Sequence, residues 1–479
     1  MNTELLTVED VRDIEQKAIA AGLTEQILME RAGEEVAKVI LEKFSPCPVL
    51  VFCGLGKNGG DGKIAARFLK EKGWTVDILT LDDLPSFEHI ETLLKQAGLV
   101  VDAIFGTGLS RPIDENIQML MTIINEASKP IVSIDIPSGI ESDSGACCMA
   151  WIHATYTVTF FKARTGHYLL PGRDYRGELI VKDLAISKNL LPPRTAHLND
   201  PVLWNDFLTT PQPYDHKYDR GPCLIVATGC MPGAIRLASL AARRCGAGLV
   251  RVMCKREEYA LFATTAWGEI ITPVTSADEF LKWTEDQHFK ALLWGTGTYP
   301  HDSTREQAMT VLLAKKPCVL DGGALSSFAG ITSELTTHLH ENVILTPHEG
   351  EFLRLFPHLA FLKNKAEKAL KAAAEVGAIM VLKGNDTVIA SPQGELIINA
   401  NAPSTLSTAG TGDILAGLMV SLLAQGLPPF KAAAAAVWMH GEAANHVGLG
   451  LIAEDLLPQI PFVLRELAKV RGEGPPNMQ

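Results

Sequence analysis

The chain has 479 residues, 47% of them hydrophobic and 20% charged, with a formal net charge of −12. That length predicts two or three domains, each large enough to bury its own core, and the composition excludes a disordered or fibrous protein. The acidic balance excludes nucleic acid and anionic membrane surfaces as favoured partners, and leaves anionic small molecules to a local pocket that opposes the global field.

The elements come in alternation. Thr7 and Asp10 form a capping-box pattern that opens a helix running toward Ala20. A helical pattern covers Glu25–Lys43, and the apolar run Val49–Cys53 reads as a buried parallel strand. A glycine-rich loop follows, then a helix over Lys63–Lys72. Thr75–Leu79, Leu99–Ala103 and Ile131–Ile134 are further strands, with a helix over Ile117–Ala127. The prolines at 192, 193, 201, 211 and 213 break the pattern. A second series then starts at Cys223–Ala227, with an Ala-rich helix over Ala234–Cys245. Its strands lie near Leu249–Met253, Ala291–Trp294, Cys318–Leu320, Val343–Leu345 and Ala378–Leu382, and long helices follow Gly412 and Pro428. Strand–helix alternation of this kind predicts α/β architecture with parallel sheets. The expected organisation is a domain over 1–190, a linker over 191–215, a second domain over 216–470 and a disordered tail over 471–479.

Nine cysteines lack metal-ligand spacing and sit in apolar runs, so they read as reduced thiols of a cytoplasmic protein. The N-terminus lacks a signal-peptide pattern, and no apolar run reaches membrane-spanning length. A homo-oligomer is left open.

In the first series, Gly54, Gly56 and Gly59 satisfy the dinucleotide spacing, and Asp82 and Asp83 follow the next strand. Alone this is weak, because a ligand-free strand-to-helix turn has the same composition. Two further strand ends, Asp102–Leu109 and Asp135–Gly139, combine a carboxylate with a glycine turn. Asn58, Asp102 and Ser138 offer oxygens suited to a hard monovalent or divalent cation. In the second series, Ser407–Asp413 precedes an apolar helix. Small residues there can form an anion hole, and Asp413 can take a proton from an attacking hydroxyl, although it can also simply satisfy the helix dipole.

Residues 1–190 resemble the NAD(P)H-hydrate epimerase family in Leu28-Met29-Glu30 with Ala32-Gly33, Lys57–Gly62, Asp102–Leu109, Asp135–Gly139 and Pro171-Gly172. The resemblance implies a Rossmann-like three-layer α/β/α domain. It implies substrate contacts from Lys57, Asn58, Gly59, Gly60 and Asp61, from Gly106, Thr107, Gly108, Leu109, Ser110, Arg111 and Pro112, and from Asp135, with Asp135 catalytic. It also implies K+ on Asn58, Asp102 and Ser138. Residues 216–465 resemble the ribokinase-like ADP-dependent NAD(P)H-hydrate dehydratase family in Cys245–Val250, Gly295–Gly297, Thr346–Glu351, Lys383–Thr387, Gly410–Asp413 and Gly450–Leu457. This second resemblance implies a ribokinase-like α/β/α domain with ADP and Mg2+. Lys383, Gly384, Asn385, Asp386, Thr387 and Gly412 would contact the nucleotide. Ala234, Gly297, His348 and Asp413 would face the substrate, with Asp413 as base.

Together the resemblances imply a metabolite-repair enzyme that epimerises R and S hydrates of NADH and NADPH. It would dehydrate the S form at the expense of ADP, giving AMP and phosphate. The chain departs from the family patterns at Lys57 (usually asparagine), Arg164 (usually lysine), Thr296, Gly323, Glu349, Asn385 and Asp386. Two rivals stay open. One is a ribokinase-like small-molecule kinase with a nucleotide-sensing N-terminal domain, and the other is a dehydrogenase using the first glycine loop.

Overall fold

A computed structural model describes residues 3–108, 112–193, 196–227, 231–265 and 268–472. Leu109, Ser110, Arg111 and most of the expected tail lie outside them. The chain divides into two compact units, residues 2–197 and 198–479.

In the first unit, Val49–Cys53 shows why the sheet is covered on both faces. Val49, Val51 and Cys53 pack into one apolar cluster with the helices Glu25–Lys43 and Lys57–Glu71. Leu50 and Phe52 point the other way, into a cluster with Phe87–Gln96 and Glu115–Glu126. A strand buried on both sides reads as an unbroken apolar run because alternate side chains meet different helix layers. Six parallel strands stand in the order Val76–Thr80, Val49–Cys53, Leu99–Ala103, Ile131–Ile134, Tyr156–Phe160, Glu178–Lys182. The order reverses between Val49–Cys53 and Leu99–Ala103, which is where open α/β sheets bind ligands. The capping box at Thr7 forms, with Thr7 N–H donating to Asp10 (2.8 Å).

The second unit has a sheet of nine strands among the described residues. Chain order runs Cys223–Ala227, Val250–Lys255, Ile270–Val274, Ala291–Trp294, Cys318–Leu320, Val343–Leu345, Ile379–Leu382, Val388–Ala390, Leu396–Ile398. In space the first three are reversed, third-second-first, and the rest follow in order. The last two strands are antiparallel additions. Reversal therefore falls between Cys223–Ala227 and Ala291–Trp294. Over this sheet lie Pro232–Arg244, Thr411–Ala424, Pro429–Val447 and Ala453–Val470, whose alanines let the helices approach closely.

Two local expectations differ from the structure. The glycine run expected as a loop is helical from Lys57, and the helix runs Lys57–Glu71 rather than from Lys63. Glycine is needed there for close approach, not for flexibility, since a Cβ on Gly59 would lie 1.9 Å from Gly54 O. Within the expected linker, Trp204 and Leu208 are buried in the second unit's core. The Trp204 indole donates to Asn199 (3.0 Å) and packs at a tilt against Trp438, with ring centroids 5.7 Å apart. Proline density signalled irregular backbone, but these apolar side chains decide that residues 198–208 pack with the second unit.

Candidate active sites

At the first unit's reversal, Gly54 N–H donates to Ala103 O (2.9 Å) and ties the two diverging loops together. The helix Lys57–Glu71 starts beside them. Its cap, Gly56, supplies no side-chain acceptor, so the first-turn amides are available to an anion. The Lys57 ammonium is engaged by Glu15 (3.1 Å) and Glu25 (3.0 Å), which answer the positive charge introduced where asparagine is usual. Gly106 packs on Asn58, Thr107 is half-buried, and Gly108 and Pro112 are exposed at the rim.

Asn58, Asp102 and Ser138 form one contiguous cluster. Asp102 is fully buried, and its carboxylate accepts from Ser133 Oγ (2.7 Å), Ser138 N (2.9 Å), Ser138 Oγ (2.5 Å) and Ile104 N (3.2 Å). Burial still pushes its carboxyl above the usual range against those donors. Phe105 N–H donates to Ser138 Oγ (2.8 Å), and Gly106 brings Asn58 alongside. Asn58 is buried, and its amide nitrogen has no partner among the described residues. Turning the amide over would present its oxygen instead. One carboxylate, one amide and one hydroxyl make a low-charge oxygen set that fits a monovalent cation. Among the described residues no group of three or more His, Cys, Asp or Glu could hold a metal.

Asp135 ends the strand Ile131–Ile134 with φ at +66°, a conformation that costs a non-glycine residue energy and that its surroundings must enforce. His167 is part of that enforcement. Its Nδ1 accepts from Arg164 N–H (2.9 Å), so its proton resides on Nε2, which donates to Asp135 O (2.8 Å). Burial lowers the His167 pKa to about 3 and keeps it neutral. Thr159 Oγ1 (3.0 Å) and Arg164 Nη2 (3.2 Å) donate to Asp135 Oδ1, so the Arg164 departure keeps a cation on this carboxylate. Thr159 and His167 carried no local signal in the sequence, because the first reaches Asp135 from the neighbouring parallel strand and the second from a short helical turn more than thirty residues on.

At the second unit's reversal, Gly297 meets the helix Pro232–Arg244. A Cβ there would lie 3.0 Å from the Ala234 Cβ, so these two expected substrate residues are adjacent. The next strand ends converge. Asp321 Oδ1 accepts from Thr346 Oγ1 (2.6 Å) and Lys383 Nζ (2.8 Å). Gly412 opens toward the same ammonium, with a Cβ there 3.9 Å from Lys383 Nζ. Burial disfavours the Lys383 cation, but Asp321, Glu351 and Asp413 more than offset it and raise its pKa. Asp413 lies in the first turn of Thr411–Ala424, and burial, with the negative charge of Asp321, raises its pKa to about 6. His348 caps a helix, its Nδ1 accepting from Gly350 N–H (3.0 Å) and Glu351 N–H (3.3 Å), which leaves Nε2–H as its remaining donor, 3.6 Å from Glu351 Oε2.

The departures in this unit are matched by neighbours that sequence reading missed. Lys365 pairs with Asp386 (2.5 Å), and Lys368 pairs with Glu349 (2.5 Å). Thr387 Oγ1 donates to Gly384 O (2.6 Å) and closes the turn that half-buried Asn385 shares. A Cβ on Gly323 would come within 2.3 Å of Thr298 O and Oγ1, so Thr298 fills the room a larger residue would need. His440, also unforeseen, is buried beneath Thr411, and burial lowers its pKa to about 4.

Two α/β units, each gathering polar side chains at the carboxyl ends of its parallel strands beside a glycine-framed helix N-terminus, define a two-site enzyme acting on phosphate-bearing ligands. Residues 25–90 and 82–166 match the model of the YjeF-related protein N-terminus, and 223–458 match that of NAD(P)H-hydrate dehydratase. The bifunctional NAD(P)H-hydrate repair enzyme Nnr of Moorella thermoacetica is 34% identical, over 92% of this chain and 92% of its own. Its Escherichia coli counterpart is 32% identical, over 95% of this chain and 93% of its own. A ribokinase-like superfamily protein of Enterococcus faecalis superposes with a TM-score of 0.50 at 22% identity, covering 55% of this chain and 94% of that one, which supports the fold of the second unit. The chain belongs to the family of bifunctional NAD(P)H-hydrate repair enzymes. No described helix is long and apolar enough to cross a membrane.

Proposed function

We propose that the two sites act in sequence on NADH and NADPH that have taken up water across one ring double bond. The first unit interconverts the R and S hydrates around Asp135. Phosphates of the dinucleotide bind the amides opening Lys57–Glu71, and the stretch from Gly106 to Pro112 supplies further contacts to the substrate. K+ would be held by Asn58, Asp102 and Ser138 and would supply fixed positive charge beside the substrate.

The second unit transfers the β-phosphoryl group of ADP to the hydroxyl of the S hydrate. Asp413 takes the hydroxyl proton as its oxygen attacks phosphorus, and AMP leaves. The ring nitrogen lone pair then expels phosphate and restores the dihydronicotinamide. Lys383–Thr387 and Gly412 cradle the nucleotide, with the Lys383 ammonium neutralising charge on the transferring group. Ala234, Gly297 and His348 hold the hydrated ring. Mg2+ would be held chiefly by phosphate oxygens of the nucleotide and would neutralise charge on the transferring group. The reading extends to a cytoplasmic enzyme with small-molecule substrates only.

The observation that carries it is the cluster of Asp413, Asp321 and Lys383 at the glycine-framed start of Thr411–Ala424. The test follows dihydronicotinamide absorbance on mixed R and S NADPH hydrate with ADP, Mg2+ and K+. Full recovery is expected for the native chain, recovery of the S fraction alone for Asp135→Ala, and none for Asp413→Ala. A stable phosphorylated product without regained absorbance would favour a kinase and overturn this reading.

A further inference from the structure

Asp61 is a carboxyl group that its surroundings leave unused. It lies in the opening turn of Lys57–Glu71, half-buried, and no hydrogen bond to it is present among the described residues. A helix N-terminus ordinarily stabilises a carboxylate. Here burial, then the charges of Asp135 and Glu15, raise its pKa well above the usual range, and only Lys57 opposes them. Lys57 is itself divided between Glu15 and Glu25. Asp135, the neighbour whose charge Asp61 feels, has Oδ1 taken by Thr159 and Arg164, while no partner of Oδ2 is found among the described residues. Asn58, one turn before Asp61 on the same helix, and Ser138, three residues after Asp135, meet in one cluster around Asp102, so the two carboxyl groups flank the same strand ends. One held by donors and the other left without any is the arrangement that assigns a base and an acid.

We infer that Asp61 is a second catalytic residue of the N-terminal site, protonating the substrate hydroxyl while Asp135 accepts a proton on the other side of the exchange. This rests on the epimerase reading given above. In the hydrate the hydroxyl sits on the ring carbon bonded to nitrogen. Asp61 O–H gives its proton to that hydroxyl, the C–O bond breaks, and the nitrogen lone pair forms a C=N+ bond as water leaves. Water adds to the opposite ring face, a new C–O bond forms, the electron pair returns to nitrogen, and Asp135 takes the released proton. One bond is broken and one made, and the proton lost by Asp61 equals that gained by Asp135. The reverse reaction uses the two carboxyls in exchanged roles, and solvent restores the starting protonation.

The experiment uses the full chain carrying Asp413→Asn, so that the S hydrate accumulates, and follows interconversion from pure S hydrate by chromatography. With native Asp61, a bell-shaped pH profile is expected, because one carboxyl must be ionised and the other protonated. Asp61→Asn should lower kcat by about 10²–10⁴-fold with little change in KM or melting temperature, and should remove the alkaline limb. Asp61→Glu should keep that limb at a shifted pH. Each interconversion should bring in oxygen from isotopically labelled water. An Asp61→Asn enzyme with native kcat, or one that is slower with its bell intact, overturns the inference while leaving the epimerase reading standing. A parent enzyme that does not interconvert the epimers at all overturns the reading, and this inference with it.

Discussion

Partial burial, with the negative charge of Asp321 near by, raises the Asp413 pKa to about 6, and this has a direct kinetic consequence. A base must be ionised to take a proton, so dehydration by the second unit should fall as pH drops through about 6 and level off above it. Asp321→Asn removes the like charge and leaves Lys383 facing Asp413 alone. Both changes favour the Asp413 anion, so the acid limb of kcat should move to lower pH, and an unmoved limb would contradict the assignment. In the first unit, His167 holds the backbone of Asp135 at positive φ through a neutral ring. His167→Leu orphans Asp135 O and Arg164 N–H, at about 1–3 kcal/mol for each buried group. Chemical denaturation should show that loss, and epimerisation should fall while dehydration of pure S hydrate is retained. Asp135 and Asp413 were legible in sequence because each ends a glycine-marked motif. Their partners Thr159, His167 and Asp321–Lys383 were not marked as such, because pairing between parallel strands carries no local pattern.

At the first unit's strand reversal, and at the next pair of strand ends past the second unit's reversal, one glycine lets two neighbouring loops touch. A Cβ on Gly54 would lie 1.9 Å from Ile104 O, and one on Gly295 would lie 1.9 Å from Asp321 O, with Gly295 also at φ +106°. Both contacts are with backbone, so neither can give way cheaply. Gly54→Ala should abolish epimerisation and spare dehydration of the S hydrate. Gly295→Ala should do the opposite, and separate assays with pure epimers would register the split. Buried strands were the most readable elements, since a five-residue apolar run such as Val49–Cys53 can hardly serve another purpose in a parallel sheet. Helix starts were less readable. A run such as Lys57–Gly62 has poor helix propensity, and tertiary packing wins there because Gly59 lies so close to Gly54 O that a Cβ on it would come within 1.9 Å. The departures at Glu349, Asp386 and Gly323 likewise have no visible counterpart in the local sequence. Lys368, Lys365 and Thr298, which answer them, lie far away in sequence.

Each unit buries its own core and assembles its own site from its own strand ends. No residue proposed for one site comes from the other unit. The chemistry requires cooperation only through a shared substrate, because spontaneous hydration yields both epimers and phosphoryl transfer with elimination consumes one. If the epimers pass between sites through solvent, the two activities need not reside on the same molecule. Full-length Asp135→Ala and full-length Asp413→Ala, each unable alone to recover a mixed R and S hydrate completely, should therefore recover all of it when mixed with ADP. The final absorbance should equal that of the native chain, and the rate of the slow phase should scale with the concentration of the Asp413→Ala protein, which supplies the epimerase. A mixture that stalls at the S fraction, with each variant folded and active in its remaining half, would mean that the hydrate is handed over within one chain.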